Sequence, residues 1–168
     1  MKRFICILII LSLSCLLGCN HQISIVYDSP AYFYYPYEDV DLYDDGNAIN
    51  YEIHEGSDFS SDNELIQAYL EGPNRSAFYS PFPPDGTVID SIVSGNRIRV
   101  VLSKHFNELI GMELTMATSC LALTLLDTKG VTIVEIHILS DDGAISRSFF
   151  LTRDSVVLTD SYKALPVE

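Results

Sequence analysis

The sequence predicts an α+β domain in which a mainly antiparallel sheet carries two helices packed on one face. Short segments of alternating apolar and polar residues recur along the chain and predict strands. Two longer segments place apolar residues at helical spacing, and glycine, proline or Asp-Gly turn signals separate the elements. The predicted order is ββ-α-ββ-α-ββ, in which the strands form hairpins and the helices lie between them.

The first pair of predicted strands is rich in tyrosine. Residues 31–35 combine alanine, phenylalanine and three tyrosines, a composition that favours strands, and Pro30 and Pro36 limit the segment. An acidic loop, residues 38–47, ends in an Asp-Gly turn signal. In residues 49–54 three apolar side chains alternate with three polar ones, which predicts a half-buried strand.

The first helix has clear boundaries in the sequence. Ser61 and Glu64 have the spacing of a capping box, and Gly72 with Pro73 ends the helix. Its apolar residues recur at helical spacing, so they form one face that can pack against the sheet. This apolar face consists of Leu65, Ile66, Tyr69 and Leu70.

The second half of the chain repeats the pattern. Residues 87–93 and 97–103 predict a hairpin with a three-residue loop. A second helix is expected over about residues 113–128, closed by Gly130; its five hydroxyl residues lower its propensity, so packing must stabilise it. In residues 131–139 apolar side chains alternate with Glu135 and His137, and residues 144–152 follow as the hairpin partner.

The amino terminus has the organisation of an export signal. Lys2 and Arg3 precede an apolar run, residues 4–17, and polarity changes abruptly after Cys19. The run is shorter than the roughly 20 apolar residues of a transmembrane helix. A plain secretory signal more often ends in A-x-A than in the L-x-G-C pattern found here.

Residues 16–19 resemble the lipobox of bacterial lipoproteins, in which the cysteine is diacylated. The resemblance implies a signal peptide, residues 1–18, cut between Gly18 and Cys19, with lipid on Cys19 that holds the chain at the extracytoplasmic face of the cell membrane. A short tether, residues 19–29, a folded domain over residues 30–160 and a flexible tail, residues 161–168, are then expected.

Charge and cysteine content limit the partners. The full chain has ten basic and 23 acidic residues and a net charge of −13, and without Lys2 and Arg3 the net charge is −15. This balance argues against nucleic acid, which needs clustered basic residues, and against electrostatic adhesion to anionic lipid. With Cys19 lipidated, Cys120 is left alone, so no internal disulfide is expected and its thiol is assigned to the core.

No sequence motif indicates catalysis, a metal or a cofactor. The four histidines lack the spacing of zinc ligands, and His54 and His137 fall at outward positions of predicted strands. The acidic loop lacks the ligand order of an EF-hand, and nucleophile-elbow and phosphate-loop patterns do not occur. We therefore expect a protein that is not an enzyme and that has no cofactor and no metal site.

The tyrosine-rich strand gives the one candidate surface. Tyr32, Tyr34 and Tyr35 could stack on glycan or hold a protein partner. The alternative is strand propensity alone, with alternate rings buried in the core.

Several short motifs, in order and spacing, resemble the GerMN domain of sporulation and spore-germination lipoproteins. They are residues 64–73, which end in Leu-Glu-Gly-Pro, residues 80–83, 86–87 and 101–106, the second helix and the strand over residues 131–138. The resemblance covers about residues 30–160. It implies a fold like the ring-building motifs of secretion systems and a role in assembling an envelope complex without catalysis. The partner would be an envelope protein, or further copies of this chain in a ring.

The sequence departs from that family in two respects. Members often carry two tandem domains, whereas this chain has room for one, and the tyrosine-rich strand with its acidic loop is unusual. Two functions stay open: a lipid-anchored interaction module, in sporulation or germination, and a lipoprotein that binds cell-wall glycan or peptide through its tyrosine-rich strand.

Overall fold

A computed structural model describes residues 29–39, 48–55 and 59–156. The predicted signal peptide, Gly18, Cys19, the tether up to residue 28 and the tail over residues 161–168 lie outside the described residues, as does most of the acidic loop. Within the described part of the chain, neither α-helix is long and apolar enough to cross a bilayer.

The described residues contain the predicted elements in the predicted order. The strands and helices are β1 (Ala31–Pro36), β2 (Ile49–His54), α1 (Asp62–Leu70), β3 (Val88–Ser94), β4 (Arg97–Leu102), α2 (Gly111–Lys129), β5 (Ile133–Leu139) and β6 (Ile145–Leu151). Short 3-10 helices, Lys104–Glu108 and Arg153–Ser155, follow β4 and β6. The predicted α+β class is confirmed.

The strands form two sheets, a division that the sequence pattern did not indicate. β1 and β2 pair antiparallel, and a second sheet has the order β3-β4-β5-β6. In the second sheet β3 and β4, and likewise β5 and β6, are antiparallel, whereas β4 and β5 are parallel. The parallel pair arises because the chain leaves β4, crosses through α2 and returns as β5, which is the crossover that parallel neighbours require.

Helix α2 lies at the centre of the molecule, against β1 on one side and the four-stranded sheet on the other. All side chains from Ala117 to Leu126 are buried, including three hydroxyl residues. Inward side chains of β4 and β5 complete the core; they are Ile98, Val100, Leu102, Val134, Ile136 and Ile138. Burial on all sides explains how packing outweighs the low helix propensity of the hydroxyl residues.

Helix α1 begins as predicted, with one difference. The Ser61 hydroxyl accepts a hydrogen bond from the Glu64 backbone N–H (3.2 Å), so Ser61 is the N-cap. The Glu64 carboxylate, however, accepts from the backbone N–H of Ser60 (2.8 Å) and from the Ser60 hydroxyl, not from Ser61. These hydrogen bonds lower the pKa of Glu64. The capping box is thus displaced by one residue.

An ion pair joins the two helices. The Lys129 ammonium, at the C-terminus of α2, lies 2.6 Å from a carboxylate oxygen of Asp62, at the N-terminus of α1. Each charge is also opposite in sign to the partial charge of its own helix end, which is the favourable arrangement. The Lys129 side chain is almost fully buried, so this pair fixes the position of α1 against α2.

Candidate interaction face

The outer side of the two-stranded sheet is aromatic. Tyr32 and Tyr34 on β1 face Ile53 and Tyr51 on β2 across the antiparallel register. The Tyr51 ring packs against both tyrosines of β1, with centroid distances of 5.4 Å to Tyr32 and 5.2 Å to Tyr34. We call these four residues the tyrosine face. Its most exposed members are Tyr51 (39%) and Ile53 (63%).

The third predicted surface residue, Tyr35, belongs to the core, so the prediction is wrong for it. Its side chain is fully buried, and its hydroxyl donates to the backbone carbonyl of Tyr69 (2.8 Å). Burial also raises the pKa of Tyr35 far above its ordinary value. Alternate residues of a strand point to opposite sides, so Phe33 and Tyr35 fill the core while Tyr32 and Tyr34 remain half-exposed.

Strand β2 exposes part of its apolar side and buries polar residues. The Glu52 carboxylate is only 5% exposed and accepts hydrogen bonds from the backbone N–H groups of Asn74 (3.1 Å) and Arg75 (2.7 Å). His54 packs on the Phe33 ring at a centroid distance of 4.2 Å, so its predicted outward position is wrong. The alternation correctly divided the side chains of β2 between two sides of the strand. It did not show which side faces inward, because that depends on the backbone N–H groups that bind Glu52.

Hydroxyl groups of α2 close the far edge of β1. Thr128 and Thr124 accept hydrogen bonds, each 2.9 Å long, from the backbone N–H groups of Tyr32 and Tyr34. The Thr128 hydroxyl also donates to the Tyr32 carbonyl at 3.3 Å. Beyond them, the segment around Phe78 bonds to Pro36, the last residue of β1, and to the two residues after it. The helix therefore supplies the hydrogen bonds that a third strand would make to β1.

The far edge of β2 is different. Two facing residues of an antiparallel pair direct their backbone groups either both towards or both away from each other. The backbone N–H and C=O of Tyr32 are bonded to Thr128, so those of its partner Ile53 also point away from β1. Among the described residues, no element pairs with this edge. The Tyr51 N–H is held only by the adjacent Asn50 side chain (2.8 Å).

A polar contact lies beside the tyrosine face. The Tyr34 hydroxyl donates to a carboxylate oxygen of Asp127 (2.5 Å), whose other oxygen is paired with Arg153. Partial burial raises the pKa of Tyr34, although the nearby positive charge of Arg153 opposes the rise. Arg153 balances the negative charge of Asp127 beside the tyrosine face, whose own four side chains carry no charged group.

The four-stranded sheet holds a second polar group, on its side away from α2. Glu135 accepts from His137 (2.8 Å) and lies 3.6 Å and 3.5 Å from the guanidinium groups of Arg97 and Arg99. The other His137 ring nitrogen contacts the Ser148 hydroxyl (2.8 Å). Burial acts to raise the pKa of Glu135, but the His137 hydrogen bond and the Arg99 charge outweigh it, so the pKa is lowered.

The sequence marked Glu135 and His137 as polar residues on one side of β5, and they lie there, but both are buried. Glu135 bonds to His137 of its own strand, and His137 contacts Ser148 of β6. The second carboxylate oxygen of Glu135 has no hydrogen bond among the described residues but lies near the two arginines of β4, so the group forms a structural charge network. Cys120 is likewise buried, and burial raises the pKa of its thiol. Within the described ranges, no three His, Cys, Asp or Glu side chains come close enough to hold a metal ion.

These features define a small α+β domain with an exposed aromatic face. In a comparison with solved structures, the chain matches the tandem GerMN domains of the sporulation protein GerM from Bacillus subtilis. The TM-score is 0.53 at 16% identity, over 82% of this chain and 49% of that chain. The chain thus spans about half the length of the tandem-domain structure. It has a GerMN-like fold, which confirms the predicted resemblance at the level of fold.

A second matching structure is a predicted lipoprotein from Clostridium perfringens, with a TM-score of 0.41 and 15% identity. That match covers 78% of this chain and 91% of the other. No family model and no curated protein matches the sequence.

Proposed function

We propose that this protein is a lipid-anchored, non-catalytic interaction module that helps to assemble a protein complex at the extracytoplasmic face of the cell membrane. The observation that carries the proposal is strand β2, which exposes Tyr51 and Ile53 while it buries Glu52. Exposing apolar side chains and burying a carboxylate both cost free energy in an isolated domain. A surface built in this way fits a role in contact with another molecule.

Anchoring at Cys19 is tested by fractionation and by labelling with radioactive palmitate. Cys19→Ala should remove the label and release the chain from membranes, because one residue carries the lipid. Cys15→Ala is the matched control, since that cysteine lies within the predicted signal and should leave labelling unchanged. A Cys19→Ala chain that stays in the membrane fraction would contradict the anchor.

Partner binding is tested by recovery from detergent-solubilised envelopes. The double variant Tyr51→Ser and Ile53→Ser should lose a partner that the unaltered chain retains. Ile89→Ser with Ile92→Ser is the control, because both side chains are 52% exposed but lie on β3 in the other sheet. Sporulation or germination is the process in which we propose that it acts, since the matched GerM is a sporulation protein. Normal spore formation and germination after deletion, with no recovered partner, would argue against the module.

A second candidate function is binding of cell-wall glycan or peptide. The favouring observation is the cluster of three half-exposed rings, Tyr32, Tyr34 and Tyr51, since aromatic faces stack on sugar rings. Cosedimentation with purified peptidoglycan should then be saturable and should be lost in Tyr34→Ala with Tyr51→Ala. Binding that this double variant retains would exclude the tyrosine face as the glycan site.

A further inference from the structure

We propose that the open edge of β2 takes an extended segment of a partner protein, in which apolar and acidic residues alternate, as an added strand of the two-stranded sheet. This inference rests on the proposed interaction role and specifies how the partner is held. Strand addition uses the backbone groups of an exposed edge for affinity and alternate side chains for selectivity.

The two edges of this sheet are treated in opposite ways. The edge of β1 is closed by Thr124 and Thr128, so a partner strand cannot add there. The edge of β2 presents the N–H and C=O of Ile53 without a bonded element among the described residues. Proteins usually protect an open edge with lysine, proline or a bulge. In β2 the exposed residues of the edge are instead Tyr51 and Ile53.

The Tyr51 N–H is also available to a partner. Its hydrogen bond goes to the side chain of Asn50, one residue away. A carbonyl of an incoming strand can replace the Asn50 amide oxygen, while the amide nitrogen of Asn50 keeps its hydrogen bond to the Tyr37 hydroxyl. The N–H of Tyr51 and the N–H and C=O of Ile53 lie two residues apart on the same edge. An added strand could therefore form hydrogen bonds at two successive outward positions of β2.

Charge selects the chemistry of the partner. An open groove runs beside the edge, lined by residues 50–54 and by Asn74 and Arg75. The Arg75 guanidinium lies over the Phe78 ring, 5.5 Å from its centroid, and has no carboxylate within 4 Å in the described part of the chain. The Glu52 carboxylate, which lines the same groove, is already bonded to two backbone N–H groups and lies 3.5 Å from the His54 ring. A carboxylate of the partner could therefore form an ion pair with the Arg75 guanidinium.

Alternation in the partner follows from strand geometry. Side chains on one side of the added strand would lie beside Tyr51 and Ile53, where apolar groups extend the tyrosine face. Side chains on the other side would face the groove and Arg75, where acidic groups fit. A second copy of this chain, paired through its own β2, is the less favourable occupant, because the carboxylate that β2 carries, Glu52, is already bonded to two backbone N–H groups.

The test uses the full chain in detergent and a synthetic peptide of about ten residues in which isoleucine and glutamate alternate. We expect saturable binding with a Kd below about 1 mM. Ile53→Pro should weaken it at least about tenfold, because proline removes the outward N–H but leaves the bonds between β1 and β2. Ile53→Thr is the matched control, since it keeps the N–H and the strand propensity. Arg75→Gln should weaken binding of this peptide but not of one with lysine in place of glutamate.

Hydrogen exchange on the unaltered chain keeps the test valid if Ile53→Pro fails to fold. Saturating peptide should slow exchange of the amides in residues 49–54 and leave those of β6 unchanged. Binding that is equal for polyglutamate, or equal in Ile53→Pro and Ile53→Thr, would overturn strand addition. So would peptide-free dimerisation through β2, or no saturable binding. A Cys19→Ala chain that stays in the membrane fraction would instead contradict the proposed anchor alone, since peptide binding does not depend on lipid.

Discussion

Removing the Thr124 hydroxyl should destabilise the domain, although Thr124→Val keeps the size and shape of the side chain. Thr124 is fully buried, accepts the Tyr34 N–H at 2.9 Å and also meets the Tyr69 hydroxyl. With valine, the Tyr34 N–H has no acceptor on this side. A buried donor left without a partner costs about 1–3 kcal/mol. A loss near 2 kcal/mol corresponds to a fall of about 4–8 °C in Tm for a chain of this size.

Thr118→Val in the same helix is the control. Thr118 is similarly buried, but its hydroxyl donates to the carbonyls of Leu114 and Thr115 in its own helix, and those carbonyls keep or can regain backbone partners. Its replacement should change the free energy of unfolding by less than about 0.5 kcal/mol. Urea denaturation followed by far-UV circular dichroism measures both variants. Equal stability of Thr124→Val and the unaltered chain would refute the view that α2 closes the edge of β1 with hydroxyl groups.

Three further results are expected. Glu52→Gln should cost about 1.5–3 kcal/mol in urea denaturation, because one of the two accepting oxygens becomes an NH2 group, which cannot accept a backbone N–H. A cost no larger than that of exposed Glu55→Gln would contradict this. The pKa of Glu135 in the folded state is lowered below its ordinary value of 4.5, so its contribution to stability is present above pH 4.5 and is lost as the pH falls through the folded value. Glu135→Gln should therefore flatten the profile of stability against pH between about pH 5 and 3. An unchanged profile would argue against the charge network around Glu135. Gly86→Ala should lower stability by about 1–3 kcal/mol, since an added Cβ would lie 2.9 Å from both the Phe106 ring and the Pro83 carbonyl oxygen. An unchanged urea midpoint would contradict this close packing.

Local signals predicted most of the fold. Ser61 caps α1, and Gly130 ends α2 in the left-handed conformation (φ 62°), as their residue types indicated. Turn signals placed the hairpins of the four-stranded sheet correctly, but the loop between β3 and β4 has two residues and not the predicted three, since Ser94 pairs with Arg97. The parallel pairing of β4 with β5 was not predicted, because it depends on how the chain passes through α2, and no local pattern in either strand records that path.

The candidate site was predicted in part. Alternation correctly separates Tyr32 and Tyr34 from Phe33 and Tyr35, but it does not say which of the two sets faces solvent. Hydrophobicity is a poor guide when tyrosine stands on both sides. For β2 the decision comes from Glu52, whose two hydrogen-bond donors lie 22 and 23 residues further along the chain. Contacts at that separation cannot be inferred from a periodic pattern.

The hydroxyl contacts between α2 and β1 have a mechanical consequence. Strand β1 is the first described element, so any pull from the upstream chain enters the domain at Ala31. The bonds to Thr124 and Thr128 on one side, and to β2 on the other, run across the strand direction. Tension along β1 therefore loads these bonds together in shear instead of opening them one at a time. Because β1 is hydrogen-bonded to β2 on one edge and to α2 on the other, tension along β1 is transmitted to the central helix while these bonds are intact.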